Sequence, residues 1–319
     1  MRILVLGGTS FVGRAIVEDA LAAGHTVTLF SRGLTGTDLF PEVERRIGDR
    51  STGDYASLTG GEWEAVVDVS GYVPRHVQQA VEALGARAGR YLFISSGSVY
   101  DKSQPDSGVT EDSPRKPPEH DTEEVTGPTY GPLKVACEDT LLSLLGDRAT
   151  IVRPGIVAGP HDSTDRFTYW VRRAAQGGRV AVPCRLDQPV QVVDSRDLAR
   201  LVVALLEQDL PGAFNAVGPV EPVTLADLIR TCARAAGVQV ELVAVPADAV
   251  EPGFPLVMPD PSWEVMFSRR AAAAHAAGMP ATPLDQTAAD VLAWDRERGT
   301  PPMKVGFTPE REAAVLTGL

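Results

Sequence analysis

The stretch RILVLGGTSFVGRAIV, residues 2–17, decides the fold. Four apolar residues, Ile3 to Leu6, run into Gly7-Gly8-Thr9-Ser10, and from Phe11 the apolar positions recur at helical spacing. The pattern predicts a strand, a tight turn and the start of a helix. N–H groups at such a start lack intrahelical partners and carry the positive end of the helix dipole, which suits a phosphate. Gly7 lets the chain turn, Gly13 lets the helix lie close, and Ser10 stands where the three-glycine fingerprint has its middle glycine. A Gly-rich turn can be an ordinary strand–helix connection. Its place directly after a β run and before a helix makes it a nucleotide-binding signal.

Further strands follow at regular intervals: Thr26–Phe30, Val43–Ile47, Ala65–Val69, Tyr91–Ile94 and Ala149–Arg153. Helical stretches lie between most of them, so the fold class is α/β with a doubly wound parallel sheet of Rossmann type, whose ligands bind beyond the carboxyl ends of the strands. Residues 101–128 are rich in Pro, Asp, Glu and Ser without periodicity, and read either as a solvated loop or as a segment over the cleft. Thr129 to Lys134 opens the next helix, with Pro132 assigned to its first turn. The pattern then loosens. The expected division is a dinucleotide-binding domain at 1–160, with contributions from about 190–218, and an interleaved, smaller C-terminal substrate-binding lobe at 161–319.

The formal net charge of −12 opposes a polyanion, so no nucleic-acid partner is expected. No apolar run approaches the roughly 20 residues that span a bilayer, and no secretory signal is visible, which points to the cytoplasm. Cys137, Cys184 and Cys232 are widely spaced without His in ligand spacing, so they are expected as buried thiols and no metal is expected.

The second strand ends in Ser31-Arg32-Gly33. At this position of a nicotinamide-binding unit an acidic residue would hold a ribose 2′-hydroxyl, while Arg with a small polar neighbour accommodates a 2′-phosphate. The sequence therefore favours NADP(H) over NAD(H), the competing reading being a solvated turn. Asp49-Arg50, after the third strand, would lie by the adenine. Tyr130 and Lys134, four apart on one helix, share a face, and an ammonium beside a phenol favours the phenolate. Ser96, on a strand end, would then hydrogen-bond the same substrate oxygen.

Together the motifs GGTSFVG (7–13), SSGSVY (95–100), YGPLK (130–134) and RPGIVAGP (153–160) make the chain resemble the extended short-chain dehydrogenase/reductases, the NAD-dependent epimerase/dehydratases. The resemblance implies Ser96, Tyr130 and Lys134 as catalytic residues. It also implies cofactor contacts from Gly7, Thr9, Ser10, Phe11, Val12, Ser31, Arg32, Asp49, Arg50, Ser70, Gly71, Pro154 and Val157, as well as from Tyr130 and Lys134. Relatives that dehydrate nucleotide sugars carry an Asp-Glu pair where this chain has Gly97-Ser98. Many nucleotide-sugar enzymes also place an Arg where an ungapped reading puts Asp187, and both departures argue against those substrates. The GGTxFxG and VVDxxGYxP patterns resemble an atypical branch that includes bacterial reductase-like proteins and plastid RNA-associated relatives. The implied function is an NADP(H)-dependent oxidoreductase acting on a carbonyl or alcohol carbon of a small molecule. The alternatives are epimerisation through a transient ketone and a non-catalytic NADP(H)-binding regulatory or RNA-associated protein. Homodimers through two sheet-flanking helices are common in that family, and the sequence leaves the oligomeric state open. Arg166, Tyr169, Trp170, Arg185, Gln191 and Trp263 are expected pocket walls.

Overall fold

Ile3, Leu4, Val5 and Leu6 have no exposed surface, as a strand covered on both faces requires. They form β1 (Arg2–Leu6) of a computed structural model that describes residues 1–103, 108–250, 253–258 and 260–318. After it come α1 (Phe11–Ala22), β2 (Thr26–Ser31), β3 (Glu44–Ile47), β4 (Trp63–Asp68), α2 (Pro74–Leu84) and β5 (Ala88–Ile94). Next are α3 (Gly127–Leu145), β6 (Ala149–Pro154), β7 (Ile156–Ala158), α4 (Arg166–Ala175), β8 (Gly178–Val182), β9 (Pro189–Val190) and β10 (Val192–Asp194). The chain continues through α5 (Ser195–Glu207), β11 (Gly212–Ala216), β12 (Val223–Thr224), α6 (Leu225–Ala235) and β13 (Val240–Ala244). It closes with α7 (Ala272–Ala276), α8 (Leu284–Glu297) and α9 (Pro309–Thr317).

The chain divides into two units. The first comprises Met1–Gly155, Arg196–Ala216 and Arg269–Pro280. Its sheet has seven strands in the order β11-β6-β5-β4-β1-β2-β3, and every pairing is parallel. The order reverses direction at β1, the switch point where such sheets bind ligands. Register places Leu6 beside Phe30 and Asp68, and Asp68 beside Phe93, so the ends of β2, β1, β4 and β5 form one continuous edge. The core under this edge includes Leu4, Leu6, Phe30, Trp63, Phe93, Cys137 and Leu141.

The second unit comprises Ile156–Ser195, Val217–Ser268 and Ala281–Leu319. It contains three two-stranded ribbons, β10-β7, β12-β9 and β13-β8, with a core built on Phe167, Trp170, Leu228, Ile229 and Val291. The division therefore falls earlier than the expected residue 160, because β7 pairs with β10 inside this unit, while 269–280 returns to the first. Tyr169 and Trp170, expected as pocket walls, are core instead: Trp170 is fully buried and its Nε1 donates to the Pro255 carbonyl at 2.9 Å. Cys184 also departs from expectation. It is only half-buried, and its Sγ donates to the Arg185 carbonyl at 3.3 Å.

Of the aperiodic stretch 101–128, residues 104–107 lie outside the described residues. The remainder is tied to the first unit by Asp101 N–H to Pro114 O, Lys116 N–H to Val99 O and Glu119 N–H to Pro132 O, at 2.8–3.1 Å. No helix among the described residues is long and apolar enough to cross a membrane.

α1 lies so close to the turn after β1 that a Cβ at Gly13 would fall inside the Gly7 carbonyl oxygen, and Gly7 itself has φ +94°. Gly13→Ala should therefore lower stability by about 1–3 kcal/mol, the usual cost of overpacking. Gly127→Ala is the control, because nothing lies within 4 Å of its added Cβ. Guanidinium denaturation curves of the two variants should separate clearly, with only Gly13→Ala shifted to lower denaturant.

Candidate active site

At the start of α1 the N-cap Ser10 is extended and exposed, and its side chain makes no capping bond. The first-turn N–H groups of such a helix lack intrahelical partners, and Gly7 and Gly13 let the turn lie directly against Ser70 on one side and α1 on the other. Thr9 packs under the loop after β2, where a Cβ at Gly36 would meet it at 3.1 Å. Phe11 and Val12 are half-buried in the first turn of α1. This cradle fits the diphosphate of a dinucleotide.

Beside it, the Gly7 N–H donates to the Phe30 carbonyl, which fixes the turn against the end of β2. There the Ser31 Oγ accepts the Gly33 N–H at 3.3 Å, while Arg32 is exposed and forms no hydrogen bond or ion pair among the described residues. Asp49 sits one strand further out. Its carboxyl is held below the usual range by the Ser51 hydroxyl and N–H, with Arg32 adding a weaker pull.

On the other side of the turn, a Cβ at Gly7 would meet the Ser70 Cβ at 2.9 Å. Ser70 donates from Oγ to the Leu6 carbonyl at 3.1 Å and accepts from Arg50 Nη1 at 3.0 Å. Arg50 corrects the sequence reading. Its guanidinium forms a two-pronged pair with Asp68 at 2.5 and 2.8 Å and also donates to Ser70 Oγ, His76 O and Tyr55 Oη. All five N–H donors are engaged, so none remains for an adenine or ribose. Asp68, fully buried at the end of β4, also accepts from Tyr91 Oη at 2.7 Å and from the Ser70 N–H at 3.0 Å. Burial alone would raise its pKa, but the adjoining guanidinium overrides that and holds it below the usual carboxylate range. The one signal for this network in the sequence was the acidic Asp68 closing the apolar run 65–67.

Lys134 is 2% exposed. Its Nζ donates to the Gly71 carbonyl at 2.7 Å and the Ile94 carbonyl at 2.9 Å, binding the ends of β4 and β5 to α3. It also lies 4.6 Å from the ring centre of Phe93, 5.0 Å from Tyr72 and 6.0 Å from Tyr130. Burial brings its pKa down to about 8, even though Cys137 and Asp68 pull the other way.

Tyr130 is half-buried, one turn before Lys134. α3 starts earlier than expected, at Gly127, with Thr126 and Thr129 forming a reciprocal cap, so Pro132 sits in the second turn. The Pro132 carbonyl accepts the Glu119 N–H at 3.1 Å. Ser95 and Ser96 separate in role. Ser95 is buried and donates to Glu138 Oε1 at 2.5 Å, whereas Ser96 is half-buried and caps a single 3₁₀ turn, Gly97–Val99, accepting the Ser98 N–H at 3.1 Å. That turn abuts α3, because a Cβ at Gly131 would strike the Ser98 carbonyl. Ser96 and Tyr130 therefore stand on two segments in direct contact. Pro154 is buried at the end of β6; Val157 lies in the second unit, paired with Val193. Among the described residues, no group of His, Cys, Asp and Glu could hold a metal ion.

Residues 64–216 match the NAD dependent epimerase/dehydratase family. Over 253 residues the chain is 28% identical to the chloroplast stem-loop binding protein of 41 kDa b from Arabidopsis thaliana, an alignment covering 74% of this chain and 63% of that protein. The chain thus spans less than two thirds of this relative's length. Its fold is similar to that of UDP-glucuronic acid 4-epimerase from Bacillus cereus solved with NAD, at TM-score 0.71 and 16% identity over 94% of this chain and 99% of the other. It is equally similar to dTDP-glucose 4,6-dehydratase from Bacillus anthracis in complex with NAD, at TM-score 0.71 and 14% identity over 94% and 98%.

The burial of Lys134 has a direct readout, since the chain has only four lysines, Lys102, Lys116, Lys134 and Lys304. In protein labelled at lysine Cε, the resonance absent from Lys134→Arg should titrate near pH 8. Because the unfolded chain keeps this proton up to about pH 10.4, the folded state binds fewer protons between the two values. This group therefore adds stability as the pH rises through that window. A resonance titrating above pH 10 would contradict the assignment.

Proposed function

We propose, from the membership of residues 64–216 in the NAD dependent epimerase/dehydratase family, that the chain is an NADP(H)-dependent oxidoreductase acting on a carbonyl or carbinol carbon of a small molecule. The observation that carries this reading is the Lys134 ammonium, held by two carbonyls beside the Tyr130 ring, on a helix in contact with the turn that Ser96 caps. Gly7, Ser10 and the first turn of α1 would hold the diphosphate, and Ser31 with Arg32 the 2′-phosphate. The dinucleotide, when bound, supplies or accepts hydride at its nicotinamide ring.

The residues of the chain do the rest. Tyr130 Oη gives its proton to the substrate oxygen in reduction and takes it back in oxidation. The positive charge of Lys134 lowers the free energy of the intervening phenolate. Ser96 Oγ already accepts the Ser98 N–H, so its own hydrogen is available to the same substrate oxygen. Ser95 is excluded from this role by its bond to Glu138.

Epimerisation would use the same three residues and differs in leaving no net change in the cofactor. A nucleotide-sugar substrate is disfavoured by Arg185, whose guanidinium is neutralised by Asp187 at 3.3 Å and Glu264 at 3.0 Å. A stem-loop ligand of the kind named for the Arabidopsis protein is disfavoured by the net charge of −12.

With a panel of aldehydes and ketones, NADPH oxidation at 340 nm should exceed NADH oxidation, and Tyr130→Phe should lower kcat by roughly 10²–10⁴-fold, the typical share of general acid–base catalysis. Full turnover by Tyr130→Phe would overturn the mechanism. In equilibrium titrations Arg32→Ala should weaken NADPH by about tenfold or more, the worth of one charge-assisted hydrogen bond, and leave NADH nearly unchanged. Equal losses for both cofactors would remove the NADP(H) preference.

A further inference from the structure

Lys134 carries its charge in the interior of the first unit. Its Nζ is gripped by the carbonyls of Gly71 and Ile94, which supply dipoles and no counter-charge, and the rings of Phe93, Tyr72 and Tyr130 lie 4.6, 5.0 and 6.0 Å from it. Burial works against an ammonium there. Something must oppose it.

The charged and titratable groups that act on Lys134 come from three elements: Cys137 and Glu138 on α3, Asp68 at the end of β4, and Arg50 after β3. Burial pushes the Cys137 thiol up to about 12, so it is uncharged where Lys134 titrates. Glu138 is divided between the guanidiniums of Arg153 and Arg115. Asp68 pairs with one guanidinium, that of Arg50, and its pull on Lys134 exceeds both the opposing push of Arg50 and the pull of Glu138. The attraction is mutual, since Lys134 also helps to keep Asp68 ionised.

The same carboxylate meets Lys134 through the backbone. Asp68 Oδ1 accepts the Ser70 N–H at 3.0 Å, and a Cβ on Gly71 would lie 3.0 Å from Asp68 Oδ2 and 2.8 Å from the Phe93 ring. The residue that offers its carbonyl to Lys134 is thus seated directly on Asp68. The missing side chain at position 71 lets the carboxylate come so close.

We propose that Asp68 is a positioning residue for the Tyr130–Lys134 pair: its carboxylate, locked by Arg50, seats the Gly71 carbonyl against Lys134 Nζ and supplies the negative charge opposite that ammonium. The consequence for proton transfer rests on the oxidoreductase reading, whereas the electrostatic role is a property of the fold. Buried charges are screened little by salt, so the attraction persists at high ionic strength.

The test follows the Lys134 resonance of the full chain, labelled at lysine Cε, in wild type, in Asp68→Asn and in a double variant, Asp68→Leu with Arg50→Met. Asp68→Asn keeps the Arg50 charge and loses its opponent, so the Lys134 midpoint should fall by about one pH unit or more from its wild-type place at about 8. The double variant loses both charges and should lie between the two. Asp68→Glu should recover part of the fall. A carboxylate that only packs predicts the opposite sign, because a loosened edge admits water and moves the midpoint up toward the exposed value of about 10.4. A midpoint unchanged or raised in Asp68→Asn therefore overturns the proposal. Should that variant fail to fold, with the Arg50 charge left buried alone, the double variant decides by the same sign. Turnover is scored separately: on the oxidoreductase reading the alkaline limb of carbonyl reduction by NADPH moves to lower pH together with the resonance. A lowered resonance without turnover in any variant keeps the role of Asp68 and removes the oxidoreductase reading, and turnover with an unmoved resonance does the reverse.

Discussion

The buried pair of Arg50 and Asp68 is the constraint on which the edge of the sheet depends. Taking two charges out of water costs several kcal/mol per ion, and only near-ideal geometry with the remaining lone pairs satisfied offsets it. Here the carboxylate has two guanidinium contacts, a phenol and a backbone N–H, and the guanidinium has a full set of acceptors. The geometry is therefore fixed within narrow limits. Through Ser70 it fixes the position of the turn at Gly7, and through the 70–71 backbone it fixes the carbonyl that receives Lys134. The turn after β1 and the helix α3 are thus both anchored to one buried network.

A second buried network does the same for the far side. Glu138 accepts from Ser95, Arg153 and Arg115, and Arg153 continues to Tyr100, whose hydroxyl donates to Asn215 on β11. These bonds tie β5, β6, β11 and α3 together with charges that are already balanced. They also engage Ser95 and leave the adjacent Ser96 outside the network. Each network would be destabilised by removal of one partner far more than its net contribution suggests, because the other charge would stay buried alone.

The parallel sheet was legible because burial on both faces forces long apolar runs, and β1, β4 and β6 are such runs. The ribbon of β8 and β13 escaped, since short strands half-exposed at one end carry no clear alternation. Pro132 misled for a different reason: a reciprocal Thr126/Thr129 cap sets the start of α3 upstream, and a Thr pair is a weaker sequence signal than a Pro. Tyr169 and Trp170 read as pocket walls because aromatic residues serve cores and pockets alike, and composition does not separate the two. Within the candidate site, the spacing of Tyr130 and Lys134 puts them on one helix face and Ser96 follows the end of a strand, whereas the Arg50 pairing depends on which residue closes a strand eighteen positions away.

Net charge and local charge point in opposite directions in this chain. The whole carries −12, yet an exposed Arg32 follows β2 and a buried Lys134 is held under the end of β5. A negative periphery repels nucleic acid and other polyanions at long range, where salt screens it over about 10 Å at 0.1 M ionic strength. Cations in a partly desolvated recess act at short range and are screened much less. On the proposed reading, the exposed Arg32 and the buried Lys134 act at this short range, one on a dinucleotide phosphate and the other on the Tyr130 phenol.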